Sequence, residues 1–172
     1  MLMFGEAGAL ISGMLRIMHP EQYQMALQMF KTIGGEGEFA VMDLWPSVFS
    51  AVTVVANRRC PLHRDESGYF PWFDILASVG MYTKAPLELQ PLGVQVYNGP
   101  GTVVAFSGSG IRHGVAAADG SRICYAFYMR ESVQDFVGVR PAGWMSQERY
   151  RPWIGHAAPG MLASLTSDPF AI

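Results

Sequence analysis

A histidine and a carboxylate lie two positions apart in the segment Cys60-Pro-Leu-His63-Arg-Asp65-Glu66. In an extended strand alternate side chains leave the same face, so His63 and Asp65 are predicted to point the same way, roughly 6–7 Å apart along the backbone. Two such side chains can hold one metal ion, and His113, much later in the chain, is a candidate third ligand. For the His-x-Asp triplet alone, a polar surface turn stays open as the alternative.

Two histidines and one carboxylate on one side of a metal form the facial arrangement of non-haem Fe(II) oxygenases, which leaves further coordination positions open. Arg122 follows His113 across a predicted hairpin turn and is expected to face the same cavity from the next strand. A buried guanidinium needs an anion, and a dicarboxylate cofactor would provide one through a bidentate salt bridge. The ordered set therefore indicates a metal site beside an anion site.

The elements that must position these residues can be read from the hydrophobic pattern. Residues 7–18 and a segment that opens at Pro20 and ends at Gly34-Gly35 have helical periodicity. From about Trp45 the pattern changes to β-branched and continuous apolar runs, which are typical of strands. After Arg130 only a short helix around 146–150 is predicted. The predicted strands cover residues 48–57 leading into 58–65, 73–79, 87–96 as one or two strands, 102–106, a segment from 113, and 122–129.

Two helices followed by short strands and turns predict an α+β fold. The expected architecture is a double-stranded β-helix, a jelly-roll or cupin-like barrel, with the N-terminal helices packed on one sheet. The chain is expected to form a single domain over residues 1–172. Within it, we expect a helical leader over residues 1–44, a β-helix core over 45–130 and an irregular C-terminal segment over 131–172.

Composition narrows the class of protein. Half of the 172 residues are hydrophobic and 15% are charged, which is typical of a packed globular domain. The net charge of −2 argues against a protein that coats DNA by charge alone. Arg58, Arg59 and Arg64 allow two interpretations, a small positive rim beside the metal site or, for each arginine singly, a solvated strand end. Two cysteines provide no disulfide framework, which fits a reducing compartment. Neither a signal peptide nor a membrane span is predicted.

Three segments carry a resemblance to a known family: HRDESGYFPWFDILASVG, YNGPGTVVAFSGSGIRHGV and SRICYAFYMRESV. They resemble the Fe(II)/2-oxoglutarate dioxygenases of the TET/JBP group, and most of all its fungal branch, which accompanies mobile DNA elements. The resemblance implies Fe(II) and 2-oxoglutarate as cofactors and O₂ as co-substrate. It also implies oxidation of methyl groups on the bases of methylated DNA, 5-methylcytosine or N6-methyladenine, in the nucleus or another reducing compartment inside the cell.

The resemblance assigns roles to the residues already singled out. His63, Asp65 and His113 would be the iron ligands, and Arg122 would bind the distal carboxylate of 2-oxoglutarate. Asn57, shortly before His63, would hydrogen-bond 2-oxoglutarate from its strand; the alternative is a local turn bond at the end of that strand.

The sequence also departs from the pattern of the family. Animal members carry His and Asn two and three positions after the metal-binding Asp, where they contact the methylated base; Ser67 and Gly68 stand there in this chain. Many relatives carry Ser two positions after the cofactor-binding Arg, where this chain has Cys124. Readout of the base by those two positions is therefore not expected here.

Other side chains allow two interpretations each. Tyr69, Phe70, Trp72 and Phe73 would suit stacking on a flipped base, or packing between sheet and helices. Asp74, in an apolar strand, needs a partner if it is buried, and Arg64 is a candidate.

Two alternative functions stay open. The first is an iron and 2-oxoglutarate oxygenase that acts on a protein side chain or a small molecule, and the second is a non-catalytic barrel that binds a partner. The complete ligand set argues against the second, because a site that had lost catalysis would be expected to have lost a ligand.

Overall fold

A computed structural model describes residues 2–35 and 45–154 of the chain. It begins with two α-helices, α1 (Leu2–Met18) and α2 (Pro20–Gly35), joined by the buried His19. Pro20 opens α2 because the fixed φ and the missing N–H of proline suit the first turn of a helix. Both helices are confirmed, and α1 begins five residues earlier than the apolar periodicity predicted.

The described residues after α2 form eight strands and two further helices. The predicted strand regions are all observed, with ends that differ by a few residues, and a short 3₁₀ turn at Gln90–Leu92 splits the predicted 87–96 segment in two. The strands are β1 (Ala51–Ala56), β2 (Cys60–His63), β3 (Asp74–Met81), β4 (Leu87–Leu89), β5 (Val94–Val96), β6 (Val103–Phe106), β7 (His113–Val115) and β8 (Ser121–Tyr128).

The strands assemble into two four-stranded sheets. The first sheet has the order β1-β8-β3-β6 and the second sheet the order β2-β7-β4-β5. Every neighbouring pair is antiparallel, and β8 lies between β1 and β3, with Phe127 opposite both Val52 and Ile75. The prediction of helices combined with antiparallel sheets is therefore confirmed. No strand of one sheet pairs with a strand of the other among the described residues, so the predicted jelly-roll barrel is not confirmed.

The main hydrophobic core lies between the helices and one face of the first sheet. Leu15 of α1 and Met25 of α2 pack in one cluster with Ile75 and Phe127 of the sheet, and Trp72 completes it. Because side chains alternate along a strand, the neighbours of these residues face the second sheet instead. A second cluster fills part of the space between the sheets; it includes Phe106, Leu87, Leu89 and Val115. The helices thus support the first sheet from outside and leave its inner face for a site.

The C-terminal part of the described chain is helical where the prediction had irregular structure over residues 131–172. Helix α3 (Glu131–Val137) was not predicted, whereas α4 (Gln147–Ile154) overlaps the short helix predicted around 146–150. α3 spans only seven residues and ends at Gly138, whose left-handed φ of 69° stops the helix. Arg149 of α4 pairs with Glu21 of α2, which attaches this segment to the helical layer. The predicted boundary at residue 44 and residues 155–172 lie outside the described residues.

None of the helices in the described ranges combines the length and the hydrophobicity that crossing a lipid bilayer requires.

Candidate metal centre

Two strands of the second sheet bring the predicted histidines together. His63 is the last residue of β2, His113 is the first of β7, and the antiparallel register places them directly opposite each other. Their ring centroids are 4.5 Å apart. His113 is buried and His63 is exposed, so the pair lies where the space between the sheets opens to solvent.

Asp65 completes a group of three. Its Oδ1 lies 3.3 Å from Nε2 of His63, and its Oδ2 lies 3.8 Å from Nε2 of His113. One ligand atom of each residue lies within 4.8 Å of the other two. The predicted grouping of these residues is observed, but the predicted reason for it is wrong. β2 ends at His63, and Asp65 lies in the following loop, where its N–H donates to the carbonyl oxygen of Gly108 at 3.0 Å.

Hydrogen bonds fix the orientation of both imidazole rings. Nδ1 of His63 lies 2.8 Å from the carbonyl oxygen of Pro61, and Nδ1 of His113 lies 2.8 Å from that of Ile111. A carbonyl only accepts, so each Nδ1 carries a proton, and in a neutral imidazole Nε2 then has a lone pair that faces Asp65. Burial lowers the pKa of His113, which favours the neutral ring that binds metals. The donor set therefore fits a divalent metal such as Fe(II).

A cavity of about 270 Å³ opens beside these three residues, between the two sheets. Five residues at alternate positions supply one wall, four of them in β8 and the fifth, Arg130, two residues beyond its end. Their side chains all face inward. Burial raises the pKa of the Cys124 thiol in this wall, which keeps it protonated. The five residues are Arg122, Cys124, Ala126, Tyr128 and Arg130.

Arg122 lies in this cavity wall, as predicted. Only 2% of its surface is exposed, its Nη2 donates to Oγ of Ser78 at 3.1 Å, and its Nε has no hydrogen-bond partner within the part of the chain that the structure describes. Among residues 2–35 and 45–154 it makes no ion pair. A buried cation with an unused donor is a strong site for an anion. The cavity thus fits a carboxylate ligand at Arg122 and a metal at the three-residue group.

Asn57 supports the backbone of Arg122. Its Oδ1 accepts the Arg122 N–H at 2.8 Å, and its own N–H donates to the Arg122 carbonyl oxygen at 2.8 Å. Asn57 has a left-handed φ of 52°, which asparagine tolerates better than most residues. These bonds join Asn57 to a distant strand of the sheet, so they are not the local turn bond that was one of its two interpretations. A contact of Asn57 with 2-oxoglutarate stays a prediction.

A second carboxyl group lines the cavity. Asp74, the first residue of β3, is 6% exposed, and its Oδ2 accepts the N–H of Gly108 at 3.1 Å. Burial and the negative charge of Asp65 raise the pKa of Asp74 to about 8, against the opposing effect of that hydrogen bond. Arg64, the predicted partner of Asp74, is exposed and forms no ion pair with it within the described part of the chain.

The aromatic cluster after Asp65 belongs mainly to the core. Trp72 is buried, donates from Nε1 to the carbonyl oxygen of Ala142 at 3.2 Å and packs against Tyr69. Phe73 packs edge-on against His19, with ring centroids 5.5 Å apart. Phe70 is exposed and contacts Trp144. These four aromatic residues are not among those that line the cavity.

Sequence reasoning missed one aromatic and one cationic side chain that line the cavity, those of Tyr128 and Arg130. Thr53, Tyr128 and Arg130 form one region of the wall. Oγ1 of Thr53 lies 3.1 Å from the hydroxyl oxygen of Tyr128, and Nη2 of Arg130 donates to that hydroxyl at 3.2 Å. The signal was present, because Tyr128 and Arg130 follow Arg122 at even spacing, Tyr128 within β8 and Arg130 two residues beyond its end.

Comparison with known proteins adds a family and a fold. The sequence profile of the Tet_JBP family, described as the oxygenase domain of the 2OGFeDO superfamily, matches residues 3–131. A solved structure, NgTET1 in complex with 5mC DNA, is similar with a TM-score of 0.59 at 17% sequence identity. That alignment covers 88% of this chain and 56% of the NgTET1 chain. No curated protein sequence is significantly similar to this chain.

Proposed function

Because the chain belongs to the Tet_JBP oxygenase family, we propose that it oxidises methyl groups on DNA bases, either 5-methylcytosine or N6-methyladenine. The enzyme is an oxygenase whose cofactors are Fe(II) and 2-oxoglutarate. One observation carries the proposal: His63, Asp65 and His113 meet at a cavity whose wall holds the buried Arg122. The structural similarity to NgTET1, which was solved with 5mC DNA, supports DNA as the substrate.

We assign each of these residues a role. His63 and His113 would hold the iron through Nε2, Asp65 would hold it through its carboxylate, and Arg122 would pair with a carboxylate of 2-oxoglutarate. When bound, Fe(II) and 2-oxoglutarate supply oxidation of a substrate C–H bond by O₂, with succinate and CO₂ as coproducts. The carbonyl groups of Pro61 and Ile111 keep both imidazoles in the ligating tautomer.

The wall formed by Thr53, Tyr128 and Arg130 supports a nucleobase as the substrate. The Arg130 guanidinium lies 5.4 Å from the centroid of the Tyr128 ring, and both side chains line the cavity. Enzymes that modify a base in DNA must take it out of the helix, and an aromatic side chain gives the flipped base a surface for stacking. A neighbouring arginine suits the phosphate that accompanies such a base.

Four further inferences concern the setting of the site. The strand orders of the two sheets support a double-stranded β-helix within residues 45–130. We infer that this core, the N-terminal helices and the C-terminal segment act as one dioxygenase domain, and that the fungal branch of the family is its nearest group. A DNA substrate and two free thiols support a nucleus or another reducing compartment.

The test is a coupled assay of cofactor and base. Protein loaded with Fe(II) and 2-oxoglutarate without O₂ is exposed to air with short DNAs that carry 5-methylcytosine, N6-methyladenine or neither. Mass spectrometry measures succinate and the bases. We expect an oxidised base in proportion to succinate with one methylated DNA. Asp65→Ala should reduce both products to background, whereas Asp135→Ala, a matched change of an exposed carboxylate on α3, should leave them unchanged.

Two results would contradict the proposal. Succinate without any oxidised base would indicate a protein side chain or a small molecule as the substrate. Full turnover by Asp65→Ala and by His63→Ala would remove these residues from the metal site.

A further inference from the structure

The buried carboxyl group of Asp74 has no role in the assignments above, although it lies beside the metal centre. It lines the same cavity as Asp65, but it is not one of the three residues whose ligand atoms group together. Burying a carboxyl group costs free energy when it has no cationic partner, and Asp74 is 6% exposed with no such partner within the described residues. The hydrogen bond that its carboxyl group accepts indicates its role.

A single residue, Gly108, connects Asp74 with Asp65. Gly108 lies in the loop between β6 and β7. Its N–H donates to Oδ2 of Asp74 at 3.1 Å, and its carbonyl oxygen accepts the N–H of Asp65 at 3.0 Å. Asp65 lies just beyond the end of β2, where no strand pairing holds it. The chain of bonds from Asp74 through Gly108 therefore replaces a strand as the support of Asp65.

Steric crowding makes the same connection. A Cβ atom added to Gly108 would lie 2.2 Å from Oδ2 of Asp65 and 2.3 Å from Oδ2 of Asp74. The φ angle of Gly108 is not in the left-handed region, so the backbone alone would tolerate alanine there. Space for the two carboxylates is what requires glycine at this position.

We propose that Asp74 is a positioning residue for the metal ligand Asp65 and acts through the peptide groups of Gly108. The proposal rests on the assignment of Asp65 as an iron ligand in the proposed function. Replacing a residue whose hydrogen bonds orient a metal ligand typically lowers metal affinity about 10- to 100-fold. Asp74 provides the acceptor that holds the 108 peptide, and that peptide holds the Asp65 backbone at the distance at which its carboxylate meets both histidines.

The experiment measures metal affinity instead of turnover. Co(II) is titrated into the full chain without O₂ or 2-oxoglutarate and followed by visible absorption, and thermal unfolding without metal is recorded for every variant. Asp74→Ala and Gly108→Ala should each weaken Co(II) binding by about 10- to 100-fold. Asp74→Asn, which keeps an oxygen acceptor of the same size, should bind within about threefold of the wild type.

A matched control comes from the same loop. Gly110→Ala makes the same chemical change two residues further on, where the added Cβ would meet Oγ of Ser107 and not a carboxylate. It should leave Co(II) affinity unchanged. The Asn variant provides a second comparison if Asp74→Ala does not fold. Gly108→Ala crowds both carboxyl groups and tests the space around Asp65, whereas the role of Asp74 is decided by comparing Asp74→Ala with Asp74→Asn.

The outcomes separate this inference from the proposed function. If Asp65→Ala weakens Co(II) binding and Gly108→Ala and the Asp74 variants do not, the positioning role is refuted while the metal site stands. If Asp65→Ala itself leaves binding unchanged, the metal assignment fails and the positioning role fails with it. Weak binding by Asp74→Ala and Gly108→Ala, with recovery in Asp74→Asn, supports the proposal.

Discussion

Arg122 is a buried guanidinium whose Nε has no hydrogen-bond partner, and it makes no ion pair within the described ranges. Its backbone is fixed by Asn57 and its Nη2 by Ser78, so the side chain is already oriented before any ligand arrives. Such preorganisation lowers the entropy lost on binding. We therefore expect this residue to control affinity for an anionic cofactor.

We predict that Arg122→Ala raises the 2-oxoglutarate concentration needed for half-maximal turnover by about 10- to 100-fold, because hydrogen bonds to a charged partner are lost. Arg122→Lys should recover only part of this effect, since an ammonium cannot form the two parallel bonds of a guanidinium. Succinate release at increasing 2-oxoglutarate measures it.

The control for Arg122 is Ser78→Ala, which removes one hydrogen bond to the guanidinium and leaves its charge in place. A smaller increase is expected from it. An unchanged 2-oxoglutarate requirement in Arg122→Ala would place the cofactor elsewhere in the cavity.

The sequence predicted the individual site residues unevenly. Residue type and chain order were enough to predict that His63, Asp65, His113 and Arg122 lie at one cavity, and their roles at a metal and an anion stay predictions. The connection of Asp74 to Asp65 was not predictable, since it passes through a glycine of a distant loop and has no periodic pattern. Crowding of that kind becomes visible only when the two loops are placed side by side.

At the scale of elements, α2 is joined to the start of β3 by one side chain. The amide of Gln22 is fully buried; its Nε2 donates to the carbonyl oxygen of Phe73 at 2.9 Å, and its Oε1 accepts the Phe73 N–H at 2.8 Å. The side chain thus imitates a neighbouring strand for one residue. Phe73 directly precedes Asp74, so this contact links the helical layer with the metal centre.

We predict that Gln22→Ala lowers the free energy of unfolding by about 2–4 kcal/mol, because the part-buried N–H and carbonyl group of Phe73 both lose the hydrogen bonds that the amide provides. Gln24→Ala is the matched control, since Gln24 is an exposed residue of the same helix, and it should change stability by less than about 0.5 kcal/mol. Chemical denaturation of both variants measures the difference. Equal stability of the two would show that the amide does not anchor β3.

Strands were more predictable than their ends and pairings. β-branched runs marked β1 and β8, whereas β2 stopped before Asp65 because a loop bond to Gly108, and not a ladder, holds that residue. Helix α3 was missed because seven residues give too little periodicity to recognise. The order of strands in each sheet depends on contacts between distant segments, which a single sequence does not reveal.

At the scale of the whole molecule, binding of a charged partner depends more on where the charges lie than on the net charge of −2. Arg64 follows His63 and Arg112 precedes His113, so the pairing of the two histidines brings these exposed arginines to the same end of the second sheet. Two positive charges thereby lie beside the metal centre on a chain that is weakly acidic. This arrangement suits a partner with a phosphate backbone.

We predict that Arg64→Glu combined with Arg112→Glu weakens binding of short duplex DNA and makes that binding less dependent on salt, because fewer counterions are released. Arg16→Glu combined with Arg151→Glu, both exposed on the helical layer, changes the net charge equally and should have a much smaller effect. Fluorescence anisotropy at several salt concentrations measures both pairs. Equal losses in the two pairs would mean that DNA is not held at this end of the molecule.

The register that joins His63 to His113 also affects how firmly the chain holds its shape. β2 is a four-residue strand at the edge of the second sheet, and only two of its residues pair with β7, with an irregularity between them. An ion bound by both histidines would connect β2 to β7, and its binding free energy would oppose local unfolding of this edge strand. A chelator would then do more than stop the reaction. It would release the edge strand and expose its amides to exchange with solvent. The stability of the second sheet would then depend on the availability of iron.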